Sequence, residues 1–163
     1  KVLRFISNLI FIFYIFIFCS VIFVLFGFSH LKILLFLILA TCIASDIGGY
    51  VFGKLFKGPK LTKISPKKTY SGLVGSLVLS MVMGYLFYIY SFDLFITNLN
   101  IFLIIILISI LSQTGDLVIS YLKRKAKVKD TGNILPGHGG ILDRIDGILF
   151  ALPFGIISIN YFY

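Results

Sequence analysis

FISNLIFIFYIFIFCSVIFVLFGF (Phe5–Phe28) runs from one end to the other without a charged residue. A bilayer core about 30 Å thick is crossed by about 20 mainly apolar residues in a helix. Barrel strands would alternate apolar and polar positions, and this stretch does not. It therefore reads as a transmembrane helix, and its almost uninterrupted Phe, Ile, Leu and Val predict a lipid-facing one. It is too long for the apolar core of a signal peptide and lacks a small-residue cleavage site, so a retained helix is expected.

Working outward, four more segments qualify: 33–52, 71–90, 101–122 and 145–163. These carry Gly, Ser, Thr or Asp, as helices facing a bundle do. The composition agrees. The 163 residues are 59% hydrophobic and only 13% charged, where about 25% charged is usual in a soluble domain, and mean hydropathy is +1.06. Disordered, collagen-like and disulfide-stapled secreted chains are excluded on the same grounds. Cys19 and Cys42 lie inside apolar runs and read as small hydrophobes. The expected fold is all-α: a single polytopic membrane domain over 1–163, a helical bundle with about five transmembrane helices and two basic cytoplasmic loops. The chain begins with Lys1 rather than Met, which reads as a fragment or a lost start.

Lys54, Lys57, Lys60, Lys63, Lys67 and Lys68 fall between the second and third spans, and Lys123, Arg124, Lys125, Lys127, Lys129 and Arg144 between the fourth and fifth. Five spans place both loops beside the amino terminus with Lys1 and Arg4, leaving Lys32 alone opposite. The positive-inside rule makes the basic face cytoplasmic. Topology and attraction to anionic lipid account for many of these lysines without any chemistry.

They do not account for the acids. There are six, all aspartate: Asp46, Asp93, Asp116, Asp130, Asp143 and Asp146. Asp93 reads as a solvated loop residue, and Asp130, in the basic loop, as the partner of a neighbouring lysine. The other four sit at the basic ends of three spans, and an ionisable residue in a span marks function by default. Gln113, Asp116, Ser120 and Lys123 share one helical face by their spacing of three and four. Asp143 and Asp146 open the fifth span, where a helix dipole favours negative charge. Simple capping would explain that pair. If the fourth and fifth helices pack antiparallel, Asp116, Asp143 and Asp146 converge, and such an oxygen donor set suits Mg²⁺ with substrate phosphates. The site expected is one for phosphoryl or nucleotidyl transfer at a membrane. Leu135-Pro136-Gly137-His138-Gly139-Gly140 is a turn-rich loop able to bring backbone N–H groups to a phosphate. His138 reads as a base, a phosphate donor or a structural hydrogen-bonder. Ser65, Lys67, Lys68 and Thr69 of the facing loop offer further donors to an anion.

Ser120-Tyr121-Leu122-Lys123-Arg124, Lys129-Asp130, Leu135 through Gly140 and Asp143-Arg144-Ile145-Asp146 together resemble the signature of the phosphatidate cytidylyltransferase (CDP-diacylglycerol synthase) family. Pro66-Lys67-Lys68-Thr69 and the Asp46–Tyr50 element are similar to further family segments, so the likeness covers about residues 40–160. The resemblance implies an all-helical membrane enzyme of phospholipid biosynthesis. It would condense CTP with phosphatidic acid to CDP-diacylglycerol and pyrophosphate, with Mg²⁺. Asp116, Asp143 and Asp146 would be the metal-site carboxylates, with Lys123 and Arg124 beside them. Ser120, Lys67, Lys68, His138, Gly139, Gly140 and Arg144 would bind substrate. Family members usually carry more spans upstream. The resemblance also implies a bacterial inner-membrane location and a cytoplasm-facing site, with membrane lipid and a second copy of the chain as partners and no nucleic acid. A CTP-dependent lipid-alcohol kinase (polyprenol or phytol type) and an ion-coupled transporter are the competing classes. Transporter sites tend to lie at the midplane in broken helices, and these acids are interfacial. A CDP-alcohol phosphotransferase fits less well, because Asp146-Gly147 is followed by Ile148-Leu149-Phe150-Ala151.

Overall fold

The computed structural model describes residues 2–62, 65, 68–90, 98–128, 130–132 and 140–162. Five helices follow in order: α1 (Val2–Gly27), α2 (Ser29–Phe56), α3 (Tyr70–Tyr90), α4 (Asn98–Lys125) and α5 (Leu142–Phe162). Each expected span falls within or against one helix. Four contain stretches long and apolar enough to cross a membrane: Asn8–Gly27, Leu31–Phe56, Tyr70–Tyr90 and Asn100–Lys125. The fifth, interrupted by Asp143, Arg144 and Asp146 at its start, packs along α4. α2 and α4 outrun their expected ends at 52 and 122. Lys54 lies in the last turn of one, and Lys123, Arg124 and Lys125 in the last turn of the other. Cations there suit the negative end of the helix dipole, so both helices continue past the apolar stretch.

The interior is built where α2, α4 and α5 meet. Leu37, Ile38, Ile101, Ile104, Ile105, Ile108, Leu149 and Leu152 are fully buried there. α2 and α3 pack most intimately, because glycines line their crossing. A Cβ on Gly48 of α2 would lie 2.9 Å from Leu79 Cβ, and one on Gly72 of α3 would lie 2.6 Å from the Gly49 backbone oxygen. Small residues of this kind let helix backbones approach in a membrane, where van der Waals packing replaces the hydrophobic drive.

α1 stands at the edge of the bundle. Phe16 is 68% and Phe23 is 81% exposed, so these apolar side chains point away from the bundle. A polar tether between α1 and α5 has a clear cause. Pro153 lies inside α5 and has no N–H to give the carbonyl four residues back. That carbonyl belongs to Leu149, and the Tyr14 hydroxyl donates to it at 2.6 Å. Cys19 is exposed and Cys42 buried, both as free thiols.

Candidate active site

α4 delivers the polar stripe read from its spacing. Gln113, Asp116, Ser120 and Lys123 are all half-buried, and Ser120 Oγ donates to Asp116 Oδ1 at 3.3 Å. α5 reaches this stripe because glycine faces it on both sides. A Cβ on Gly115 would stand 2.9 Å from the Asp146 backbone oxygen, and one on Gly147 would stand 2.6 Å from Ser112 Oγ. The close crossing brings the carboxyls of Asp116 and Asp146 onto one cleft, near enough for their charges to act on each other. Asp146 Oδ1 also accepts from the Gly147 N–H at 2.9 Å.

Two lysines enter from different elements. The loop after α2 is closed by an antiparallel bridge between Lys60 and Thr69 and by the Leu61 N–H donating to the Lys68 carbonyl at 2.8 Å. It carries Lys68 to α4, where Nζ lies 2.5 Å from Asp116 Oδ2 and donates to the Gln113 carbonyl at 3.4 Å. Lys123 Nζ lies 2.8 Å from Asp143 Oδ1 and 3.8 Å from Asp146 Oδ2. Asp143 Oδ2 accepts from Thr131 N (2.8 Å), Thr131 Oγ1 (3.0 Å) and Gly140 N (2.8 Å). Desolvation opposes the charge on Asp143. The Lys123 ammonium and the hydrogen bonds from Thr131 and Gly140 outweigh it, and hold the carboxyl well below the usual carboxylate range.

These groups border a cleft of about 360 Å³ at one end of the bundle. Asp46, Asp116, Asp143, Asp146 and Lys68 line it together with the neutral Ser45, Tyr50, Thr69 and Gln113. Asp46 comes from α2 and stands within electrostatic reach of Asp116 and Lys68. The donor set is hard and oxygen-rich, and its carboxylates repel unless cations lie between them. The trio Asp116, Asp143 and Asp146 reaches one cleft without closing on one point. Among the described residues no three acids, histidines or cysteines form a ready metal cage, and Asp143 faces Lys123, Thr131 and Gly140 instead. Mg²⁺ ordinarily takes one or two protein carboxylates and completes its shell with phosphate and water. The facing pair Asp116 and Asp146 fits that ion.

The sequence pattern of the cytidylyltransferase family matches residues 1–162. The chain belongs to the cytidylyltransferase family. Over 112 residues it is 46% identical to a phosphatidate cytidylyltransferase of Bacillus subtilis, covering 68% of this chain and 41% of the relative. Over 125 residues it is 43% identical to one of Rickettsia felis, covering 72% and 55%. The chain thus spans about half the length of the curated relatives it matches. A solved structure described as an intramembrane enzyme for archaeal membrane lipids biosynthesis superposes with a TM-score of 0.51 at 19% identity, over 76% of this chain and 77% of that one. That likeness is one of fold.

In this cytidylyltransferase-family chain, the expected site residues divide into three groups. Asp116, Asp143, Asp146 and Lys68 line the cleft, and Lys123 and Ser120 hold its carboxylates from behind. Gly140 is buried, with its N–H on Asp143. Arg124 and Arg144 are exposed at the same end, and neither is among the described residues lining the cleft. Arg124 Nη1 donates to the Val128 carbonyl at 3.4 Å. Lys67, His138 and Gly139 lie outside the described residues, as does Asp93. Two participants went unassigned in the sequence. Asp46 carried a signal, an acid in an apolar run, but nothing local placed it opposite α4. Thr131 carried none, being one threonine in a loop.

Proposed function

We propose that this chain holds the transfer centre of a phosphatidate cytidylyltransferase, joining CTP and phosphatidic acid into CDP-diacylglycerol and pyrophosphate. The observation that carries the proposal is the α4–α5 crossing, which brings Asp116 and Asp146 to one cleft with Lys68 on the first and Lys123 near the second. The naming of the relatives supports it. Condensing two anions needs cations close together and fixed carboxylates to hold them, and the cleft offers both.

The chemistry asks little of a general base. A phosphate monoester is largely ionised near neutral pH, so its oxygen attacks the α-phosphorus of CTP directly. One O–P bond forms, the bond between the α-phosphorus and its bridging oxygen breaks, and pyrophosphate leaves with that electron pair. Catalysis is then a matter of positioning and charge neutralisation. Lys68, which lines the cleft, and Lys123, on the carboxylates behind it, would meet phosphate oxygens by each exchanging part of its carboxylate contact for the substrate. Mg²⁺, held by Asp116 and Asp146, would neutralise the triphosphate and the departing pyrophosphate. Asp143 keeps Lys123 at the cleft edge. The lipid tails stay in the bilayer while headgroup and nucleotide meet at its surface, which suits acids at helix ends.

The proposal includes a bacterial inner-membrane location with the cleft open to the cytoplasm, following the basic loops, and a homodimer that light scattering in detergent would register. The function is tested by giving the protein in detergent α-labelled CTP, phosphatidate and Mg²⁺. Label is expected in a CDP-lipid, and omitting phosphatidate should abolish it. Transfer to a lipid alcohol from the γ-position instead would identify a kinase and overturn the proposal.

A further inference from the structure

One carboxylate oxygen fastens two separate pieces of chain. Asp143 Oδ2 takes both donors of Thr131 and the N–H of Gly140, all within 3.0 Å. Its partner oxygen takes Lys123 at 2.8 Å. The packing agrees with the hydrogen bonds. A Cβ on Gly140 would lie 2.5 Å from Thr131 Oγ1 and 2.8 Å from Gly132 N, so the two strands of backbone abut.

Capping of α5 accounts for the Gly140 bond, since a first-turn side chain often reaches back to an N–H before the helix. It does not account for the two bonds from Thr131, which belongs to no helix. The consequence falls on Lys123. Its ammonium is drawn to Asp143 and stands 3.8 Å from Asp146. Without Thr131, the Asp143 carboxyl would keep only the Gly140 N–H on Oδ2 and would hold Lys123 less firmly.

We propose that Thr131 and Asp143 form a clip in which Thr131 is a positioning residue. It fixes the Asp143 carboxyl, which in turn aims Lys123 at the edge of the cleft beside Asp146. The clip is a feature of geometry, whereas its kinetic effect rests on the cytidylyl-transfer reading above.

Thr131→Val removes the hydroxyl and keeps the N–H; Thr131→Ser restores the hydroxyl. In Thr131→Val the KM for CTP should rise several-fold with a smaller change in kcat, and amide exchange at Gly140 should speed up. Thr131→Ser should return both to wild type. Wild-type exchange at Gly140 in Thr131→Val would overturn the clip. Faster exchange with an unchanged KM would reduce Thr131 to a structural role and overturn the positioning claim. The exchange reading needs no turnover. An inert wild-type enzyme would therefore sink the transfer reading while the clip is still judged at Gly140.

Discussion

Gly115 on α4 faces the backbone oxygen of Asp146 on α5 with no room for a side chain, since a Cβ there would lie 2.9 Å from that oxygen and 2.9 Å from Phe150 Cβ. The glycine beside one acid thus sets the distance to the next. Gly115→Ala should push the helices apart, lower turnover by at least an order of magnitude and cost about 1–3 kcal/mol as an overpacked contact. Gly27, with nothing within 4 Å of its Cβ position, is the control: Gly27→Ala should leave turnover unchanged. Turnover of CTP and thermal unfolding in detergent check both. Wild-type behaviour of Gly115→Ala would break the link between crossing and site.

The Tyr14 hydroxyl and the Leu149 carbonyl make a second, independent case. Tyr14→Phe should cost about 1 kcal/mol, the ordinary worth of one hydrogen bond. Pro153→Ala restores a backbone N–H able to reach that carbonyl. In a Pro153→Ala background, therefore, Tyr14→Phe should cost clearly less. A double-mutant cycle with no coupling would show that the proline is not the reason for the tether.

Asp143 predicts a pH response. Its carboxyl is held well below the usual carboxylate range, so it binds fewer protons folded than unfolded. Stability from the clip is then fully present above the unfolded value, about 3.9, and is lost only as the pH falls below that through the folded value. Thermal unfolding from pH 7 to pH 3 should show wild type and Asp143→Asn differing by a constant amount down to about pH 5 and converging only in acid. Convergence already near pH 6 would contradict the geometry.

Both basic loops should lie on one side of the membrane. Cysteines placed at the exposed positions Lys57 and Lys127, in a background without Cys19 and Cys42, should resist an impermeant maleimide in intact cells and react after permeabilisation. Opposite accessibilities would break the five-helix topology.

The helices were legible because apolar run length alone specifies them: Phe5–Phe28 has no other reading, and α1 through α5 lie where such runs do. Their ends were less so. The lysines that stop an apolar run, Lys54 and Lys123, sit in the last turn of a helix that carries on. Within the site, Asp116, Ser120 and Lys123 were readable from spacing on one helix, and Lys68 from its loop. Asp46 meets Asp116 through the packing of α2 against α4, which no local pattern encodes. The expectation that Asp143 completes a trio came from its place beside Asp146. The structure shows its oxygens turned to Lys123, Thr131 and Gly140, a consequence of how the loop returns.

The most direct measurement compares cytidylyl transfer by wild type and Asp146→Asn across an Mg²⁺ titration, with helical content monitored by circular dichroism. The account predicts a loss of about 100-fold or more in turnover for a protein with unchanged helical content. Wild-type turnover by Asp146→Asn would contradict the claim that the Asp116–Asp146 cleft is where CTP and lipid are joined.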